Sequence, residues 1–369
     1  MLRRPPRRQA VTVMREMGMI NLSNPTVIPH HDETLSSWLM RWAGDRHTHR
    51  SDLLGMVANV QIELADALKS EPDFPSAPGW ARSLATVIGM DADDLDRIAW
   101  PPSPWVLAPD ARCSACVECL GEDGDITAQY MRQLWTDSWR TLCLRHDLPL
   151  VQVPAFGWGW GLVGNEVRRA HKTLMRRPYT LVKNLRSAWE ATPSVLKEAV
   201  YGAEMSLLEA FGEHYTHAGK DGHAASGRLR VWEDLLVVCT TNWQPWSDEL
   251  PISAAVPTLS AGRRFFRGLR APPFEGDHNL IRFRSLEDPS IRRMALACVA
   301  DALQNMASRP TAEPLMKGKA RKIWQDVATV LPPNAWDWLS LRAEQWPTTW
   351  RHWVLDWRRA ALVSSKKVQ

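Results

Sequence analysis

The chain is poor in several features that would classify it quickly. No apolar run approaches the roughly 18–20 residues that a membrane-spanning helix needs. The first residues, Met1-Leu-Arg-Arg-Pro-Pro-Arg-Arg, have only Ala10 to Met14 behind them, stopped by Arg15 and Glu16, so neither secretion nor membrane insertion is expected. Phenylalanine and tyrosine are scarce, at 7 and 4 residues. An excess of one charge is nearly absent: 45 Lys and Arg against 41 Asp and Glu leave +4, too little for bulk nucleic-acid binding but compatible with a local basic face. There is no repeat of fixed period and no low-complexity tract. Nor is there a paired-carboxylate, G-x-S-x-G, Walker or H-E-x-x-H arrangement, so nothing points to an enzyme.

What the chain does have is length, tryptophan and a cysteine cluster. Its 369 residues favour two or three domains with buried cores. Tryptophan, at 20 residues, supplies most of the large aromatic surface, which predicts buried indole bodies with N–H edges that need partners. Four of the six cysteines fall within residues 113–143, while Cys239 and Cys298 stand apart in sequence. In an intracellular chain, such clustering reads as metal binding rather than as a disulfide framework.

Helical periodicity dominates, so the expected class is mainly α. Residues 1–28 read as a flexible basic arm. In Asp32-Glu-Thr-Leu-Ser-Ser-Trp-Leu-Met-Arg-Trp-Ala, the residues Leu35, Trp38, Leu39, Trp42 and Ala43 share one helical face, with acids expected in the first turn and Gly44 after the end. A second helix is predicted over 52–68. The Pro-rich stretch 71–79 precedes a third near Trp80, and Trp38, Trp42 and Trp80 are expected in the core. Ala85, Gly89 and Leu95 have the spacing of a helix-turn-helix, in which the glycine permits the turn. The second helix of that pair, expected over 92–99, follows Asp91 and carries Asp93, Asp94 and Asp96. Such acids repel phosphate, so a hairpin contacting the core or a basic protein partner suits it better than a DNA-reading helix.

Residues 101–112 read as a linker, and Phe156-Gly-Trp-Gly-Trp-Gly as a loop. The pattern is helical again from Glu166 to about Phe211. There Arg168, Arg169, Lys172, Arg176, Arg177, Lys183 and Arg186 occur with no acid between Glu166 and Glu190. This basic stripe is either a solvated helix face or a contact for nucleic-acid phosphates or an acidic partner. Residues 212–227 read as a connector splitting a C-terminal helical region in two. The late tryptophans Trp336, Trp338, Trp346, Trp350, Trp353 and Trp357 are either core or a partner-facing patch. The expected domains are thus 29–110 (helical, helix-turn-helix-like), 111–155 (zinc-ribbon module) and 156–369 (helical).

The sharpest motif is Arg112-Cys-Ser-Ala-Cys-Val-Glu-Cys-Leu-Gly-Glu-Asp, followed by Leu142-Cys-Leu-Arg-His. A C-x-x-C knuckle and a C-x-x-H pair together make a Cys₃His tetrahedral zinc site. One cysteine is surplus: Cys116, Cys119, Cys143 and His146 form the first-ranked set, and Cys113 in place of Cys119 the second. A site with four protein ligands has no open position, so one structural Zn²⁺ is expected. His30, His31, His47 and His49 read as surface histidines, since no cysteine or patterned carboxylate accompanies them.

These motifs resemble a known family. Pro29-His-His-Asp-Glu-Thr-Leu-Ser-Ser-Trp-Leu-Met-Arg-Trp-Ala is similar to the N-terminal signature of the TniQ family, and Cys116-Val-Glu-Cys-Leu-Gly-Glu-Asp to its C-P-x-C-L-x-E-D knuckle. Trp135 with Thr141-Leu-Cys-Leu-Arg-His-Asp-Leu-Pro-Leu is similar to its W…T-x-C-x-x-H-x-x-x-L. The alignment puts the knuckle on Cys116 and Cys119 and makes Cys113 the extra cysteine. Val117 stands where the family usually has Pro. The resemblance implies a non-enzymatic, transposon-encoded adaptor in target-site selection. Such a protein couples DNA, read directly or through a guide-RNA effector complex, to an AAA+ ATPase that licenses the transposase. It also implies a cytoplasmic, nucleoid-associated protein of prokaryotic type, and it allows a homodimer. The alternative is a stand-alone sequence-specific DNA-binding regulator in which residues 80–100 read the duplex; a zinc hydrolase would need an exchangeable metal-bound water.

Overall fold

The computed structural model describes residues 25, 27–45, 50–71, 73–74, 79–98, 105–124, 129–153, 178–216, 222–243, 250–255, 280–286, 288–307 and 322–365. These are mainly helical, as the periodicity predicts. The chain divides into two compact units, residues 1–137 with 152–181, and residues 138–151 with 182–369. Among the described residues no helix is long and apolar enough to cross a membrane.

The first unit is built on α1 (Leu35–Asp45), α2 (Arg50–Val60), α3 (Ile62–Ser70), α4 (Trp80–Ile88) and α5 (Ala92–Asp96). The predicted face of α1 buries Leu35, Trp38, Leu39 and Trp42 against Leu53, Val57, Leu64, Leu68, Leu84, Ile88 and Leu95. Trp38 and Trp42 stack at 5.4 Å, and the Trp38 Nε1–H donates to the Val27 carbonyl at 2.8 Å. Trp80 lies at the margin of this core.

Four local readings change. The helix expected over 52–68 is two helices, broken at Gln61, whose backbone is extended (φ −148°, ψ 93°). Its N–H still closes α2 on Val57 and its carbonyl opens α3 on Ala65. Leu53, Val57, Leu64 and Leu68 keep helical spacing across the break, so the periodicity carries no trace of it. Asp32 and Glu33 precede α1 rather than occupying its first turn. Helix α5 ends at Asp96, short of the expected 99. Segment 101–112 is no exposed linker where described: Trp105, Leu107, Ala111 and Arg112 are buried. The Arg112 guanidinium makes two bonds to Glu71 (2.6 and 2.8 Å), one to Asp73 (2.8 Å) and one to the Leu107 carbonyl (2.9 Å). The other Asp73 oxygen accepts the Ser36 N–H at 2.9 Å and so caps α1.

The turn between α4 and α5 follows the glycine spacing. Gly89 adopts φ 71°, a left-handed conformation that favours glycine, and its N–H closes α4 on Ala85. Asp91 then caps α5 by accepting the Asp93 N–H at 3.0 Å. Leu95 and Ile98 pack inward, while Asp91, Asp93 and Asp96 are exposed.

Farther along lie α6 (Val117–Glu122) and the two-residue strands β1 (Ser114–Ala115), β2 (Leu142–Cys143), β3 (Leu148–Pro149) and β4 (Val151–Gln152). Strands β2 and β3 pair antiparallel, Leu142 opposite Pro149 and Cys143 opposite Leu148. The helix expected from Glu166 is described only from Pro178. It appears as α7 (Pro178–Glu190) and α8 (Ser194–Thr216), separated before Pro193, whose ring disfavours helix in the preceding residue.

In the second unit, α8, α9 (Gly222–Thr240) and α11 (Pro289–Ala307) pack together, followed by α12 (Lys322–Val330), α13 (Pro333–Ala343) and α14 (Thr348–Ser365), with the short α10 (Ile281–Arg284) between α9 and α11. Helix α8 runs through Gly212 and α9 starts at Gly222, so much of the expected connector is helix and only 217–221 lie outside the described residues.

Three of the six late tryptophans are core, and two more pack against other indoles. Trp336, Trp346 and Trp353 are buried, Trp338 packs on Trp243 at 5.5 Å, and Trp357 packs on Trp324 at 4.9 Å. The Trp346 Nε1–H and Arg342 both donate to buried Asp234, at 2.7 and 2.8 Å. Cys239 and Cys298, far apart in sequence, meet with their Sγ atoms 3.7 Å apart and fully buried.

Asp301 on α11 accepts the Trp324 N–H at 3.0 Å, capping α12 from a distance. Burial pushes its carboxyl up to about 6; the Trp324 bond opposes the shift and the Asp326 charge adds to it. A raised carboxyl contributes stability that is complete below the unfolded value of about 3.9 and is lost as pH rises through the folded value. Between pH 4 and pH 7, Asp301 is therefore expected to cost the wild type about 2–3 kcal/mol of unfolding free energy. Asp301→Asn, which keeps the acceptor oxygen, should remove that decline and be more stable than wild type at pH 7. Denaturant titrations at both pH values check this, and parallel pH profiles for the two proteins would contradict it.

Candidate metal centre

Cys116 is the N-cap of α6 and Cys119 lies one turn in, with the Leu120 N–H bonded to the Cys116 carbonyl at 3.1 Å. Val117 occupies the first helical position, where proline would lose no hydrogen bond, and it fills buried space instead. Cys143 ends β2, and His146 stands in the turn to β3. That turn closes on Asp147 at φ 51°, a left-handed conformation that Asp tolerates better than most residues.

The Sγ atoms of Cys116, Cys119 and Cys143 and a ring nitrogen of His146 all lie within 4.8 Å of one another. The Cys143 Sγ to His146 Nδ1 distance is 3.6 Å. A tetrahedral zinc with bonds of about 2.0–2.3 Å has ligand edges of roughly 3.5–3.8 Å, a range that includes the Cys143–His146 separation, and the donor chemistry fits such an ion. The cysteines are buried and the imidazole is half-exposed. Cys113 is also buried, but it lies outside this group; its Sγ is 3.6 Å from the Ala111 carbonyl. Among the described residues, the second-ranked set with Cys113 is not the one that converges.

The basic stripe is only partly described. Arg168, Arg169, Lys172, Arg176 and Arg177 lie outside the described residues, while Lys183 and Arg186 are exposed on α7. Of the four histidines near α1, His47 and His49 likewise lie outside. His30 and His31 are exposed, and the His30 ring stacks on Tyr130 at 4.1 Å.

Side chains of the N-terminal signature reach the first knuckle by way of residues 131–133, whose part in it no motif reveals. Glu33, fully buried, accepts from the Ser37 hydroxyl (2.8 Å), the His30 N–H (3.1 Å), and Arg41 Nε and NH2 (2.8 and 2.6 Å). The Ser37 oxygen in turn accepts the Met131 N–H at 2.9 Å. The Thr34 N–H reaches the Met131 carbonyl at 2.9 Å, and the Gln133 N–H reaches Asp32 at 2.7 Å. These bonds lash residues 131–133 to the start of α1.

Arg132 then grips the C-terminus of α6 through Asp123, at 2.7 and 3.1 Å, and lies 3.6 Å from Asp32. Its guanidinium stacks over the rings of Tyr130 and Trp135. Its neighbours, chiefly Asp123, raise its pKa against the opposing effect of burial, so it stays charged. Asp32 and Asp123 belong to the two recognised motifs; Arg132, which joins them, has no patterned signal in the sequence.

A mainly helical chain whose Cys₃His group could hold a metal ion is the class of protein that these observations describe. The TniQ family model matches residues 25–150, so this part of the chain is a TniQ domain, the family its motifs resemble. No curated protein and no solved structure matches the chain.

If the converging residues are the ligands, Cys119→Ser should lose the metal and Cys113→Ser should retain it. Metal analysis of both purified variants beside wild type reads this directly, and equal metal content in the two would contradict the assignment.

Proposed function

We propose that this protein is a zinc-binding, non-enzymatic adaptor in target-site selection for DNA transposition, linking target recognition to an AAA+ ATPase regulator. The TniQ domain over 25–150, with its four metal donors brought within 4.8 Å, carries this reading. Cys116, Cys119, Cys143 and His146 would hold one Zn²⁺, which serves as a closed structural ion and leaves no position for a reacting water. Such an ion stabilises a segment with little regular structure of its own.

The charge distribution supports a connector. The exposed acids of α5 suit a basic protein surface better than a phosphate backbone, although Ala85, Gly89 and Leu95 have the spacing of a helix-turn-helix. The stripe Arg168, Arg169, Lys172, Arg176, Arg177, Lys183 and Arg186 supplies the opposite sign, for nucleic acid met directly or as part of a guide complex. The alternative, a stand-alone DNA-binding regulator, draws on that hairpin alone.

A pull-down separates the two. The adaptor reading expects the protein to retain an AAA+ ATPase encoded beside it and to bind isolated duplex weakly; tight binding to one defined duplex with no ATPase retained would favour the regulator. Reversing charge at Arg176 and Arg177 is expected to weaken nucleic-acid binding and to flatten its salt dependence, read by titration at two salt concentrations. Unchanged affinity and salt slope would remove the stripe from the interface.

A further inference from the structure

We infer that Glu204, far from the metal motifs in sequence, is a positioning residue for the second knuckle and sets where Cys143 and His146 stand. The inference rests on the zinc reading above and deepens it.

The hairpin that carries these two donors cannot hold itself. Its strands are two residues each, below the length at which an isolated hairpin is stable in water. Its base is instead fastened to two helices. Glu204, on α8, is buried, and its Oε1 accepts three hydrogen bonds: from the Thr141 N–H at 2.7 Å, the Leu142 N–H at 3.0 Å and the Thr141 hydroxyl at 2.9 Å. Its Oε2 faces Arg140 NH1 at 3.3 Å. Arg293, on α11, donates from NH2 to the carbonyls of Thr141 (3.1 Å) and Leu150 (2.9 Å). The Leu150 N–H returns to Thr141 at 2.8 Å, so both strand bases are held at one point.

Cys143 follows directly on the two amides that Glu204 binds. Tilting that base would move its Sγ and the His146 ring together.

The chemistry of the acceptor favours a carboxylate. Three donors converge on one oxygen, a load that a charged oxygen takes better than a neutral one. Burial pushes the Glu204 carboxyl up, and the Thr141 bonds and the Arg140 charge oppose that shift. The arrangement also accounts for the threonine of the T-x-C-x-x-H motif. Thr141 contributes no metal donor; its hydroxyl and amide are the handle by which α8 holds the knuckle.

The test uses the full chain as wild type, Glu204→Ala, Glu204→Gln and Thr141→Val. Each is loaded with Co²⁺ as a spectroscopic probe and then titrated with Zn²⁺ against a chromophoric chelator. Glu204→Ala is expected to weaken metal affinity by about 10–100-fold and to alter the cobalt ligand-field bands, with far-UV circular dichroism unchanged. Glu204→Gln, which keeps an acceptor oxygen but not its charge, should recover part of the loss, and Thr141→Val, which removes one of the three donors, should lose less than Glu204→Ala.

Wild-type affinity and spectra in Glu204→Ala and Thr141→Val would overturn the inference and leave the zinc reading intact. If Glu204→Ala does not fold, Thr141→Val alone decides: weaker binding with altered bands supports the inference, and wild-type behaviour overturns it. A wild-type chain that takes up no metal would remove the zinc reading, and this inference with it.

Discussion

Among the described residues of 105–153, regular structure amounts to one six-residue α-helix, two short 3-10 helices and strands of two residues, so long ladders that would satisfy a buried backbone are missing there. A buried amide or carbonyl without a partner costs free energy comparable to a lost hydrogen bond, and this constraint shapes what surrounds the segment. Ionised side chains, some on helices and some on the segments beside them, take the place of ladders. Glu33 with Ser37 and Arg41 receives 131–133, Arg112 ties Leu107 to Glu71 and Asp73, and Glu204 with Arg293 grips 141–150. Each of these charged groups is hydrogen-bonded where it lies. Removing one member of such a set would leave a buried charge with fewer partners, which is far more costly than losing a surface pair.

The same bonds explain the motifs in physical terms. In the N-terminal signature, Glu33, Ser37 and Arg41 form one hydrogen-bonded set, while Trp38, Leu39 and Trp42 form the core face beside it. In the first knuckle, Asp123 holds the end of α6 through Arg132. In the second, Thr141 holds the base of the hairpin. Four residues of the recognised motifs form the group that could hold a metal ion, and Glu33, Ser37, Asp123 and Thr141 among the others make the hydrogen bonds described above.

Much of this was legible beforehand. The α1 face, the Gly89 turn and the Cys116–Cys119 knuckle all follow from spacing or from family resemblance, because each is a relation between residues close in sequence. The differences lie at local helix ends and in non-local pairings. The break at Gln61 leaves the apolar spacing intact, and the burial of residues 105–112 depends on Arg112 finding Glu71 and Asp73. The late tryptophans read equally well as core or as patch until Trp243, Trp324 and Asp234 were found against them.

The sequence alone determined the helical class, the family and the donor types, since periodicity and C-x-x-C or C-x-x-H spacing are local properties of the chain. The tertiary structure alone decided which buried charges meet and which tryptophans are core, and it brought Cys239 beside Cys298. Pairings such as Arg132 with Asp32 and Asp123, or Glu204 with Thr141, depend on long-range packing, and hydrogen-bonding geometry between distant residues leaves no periodic trace in the order of the amino acids.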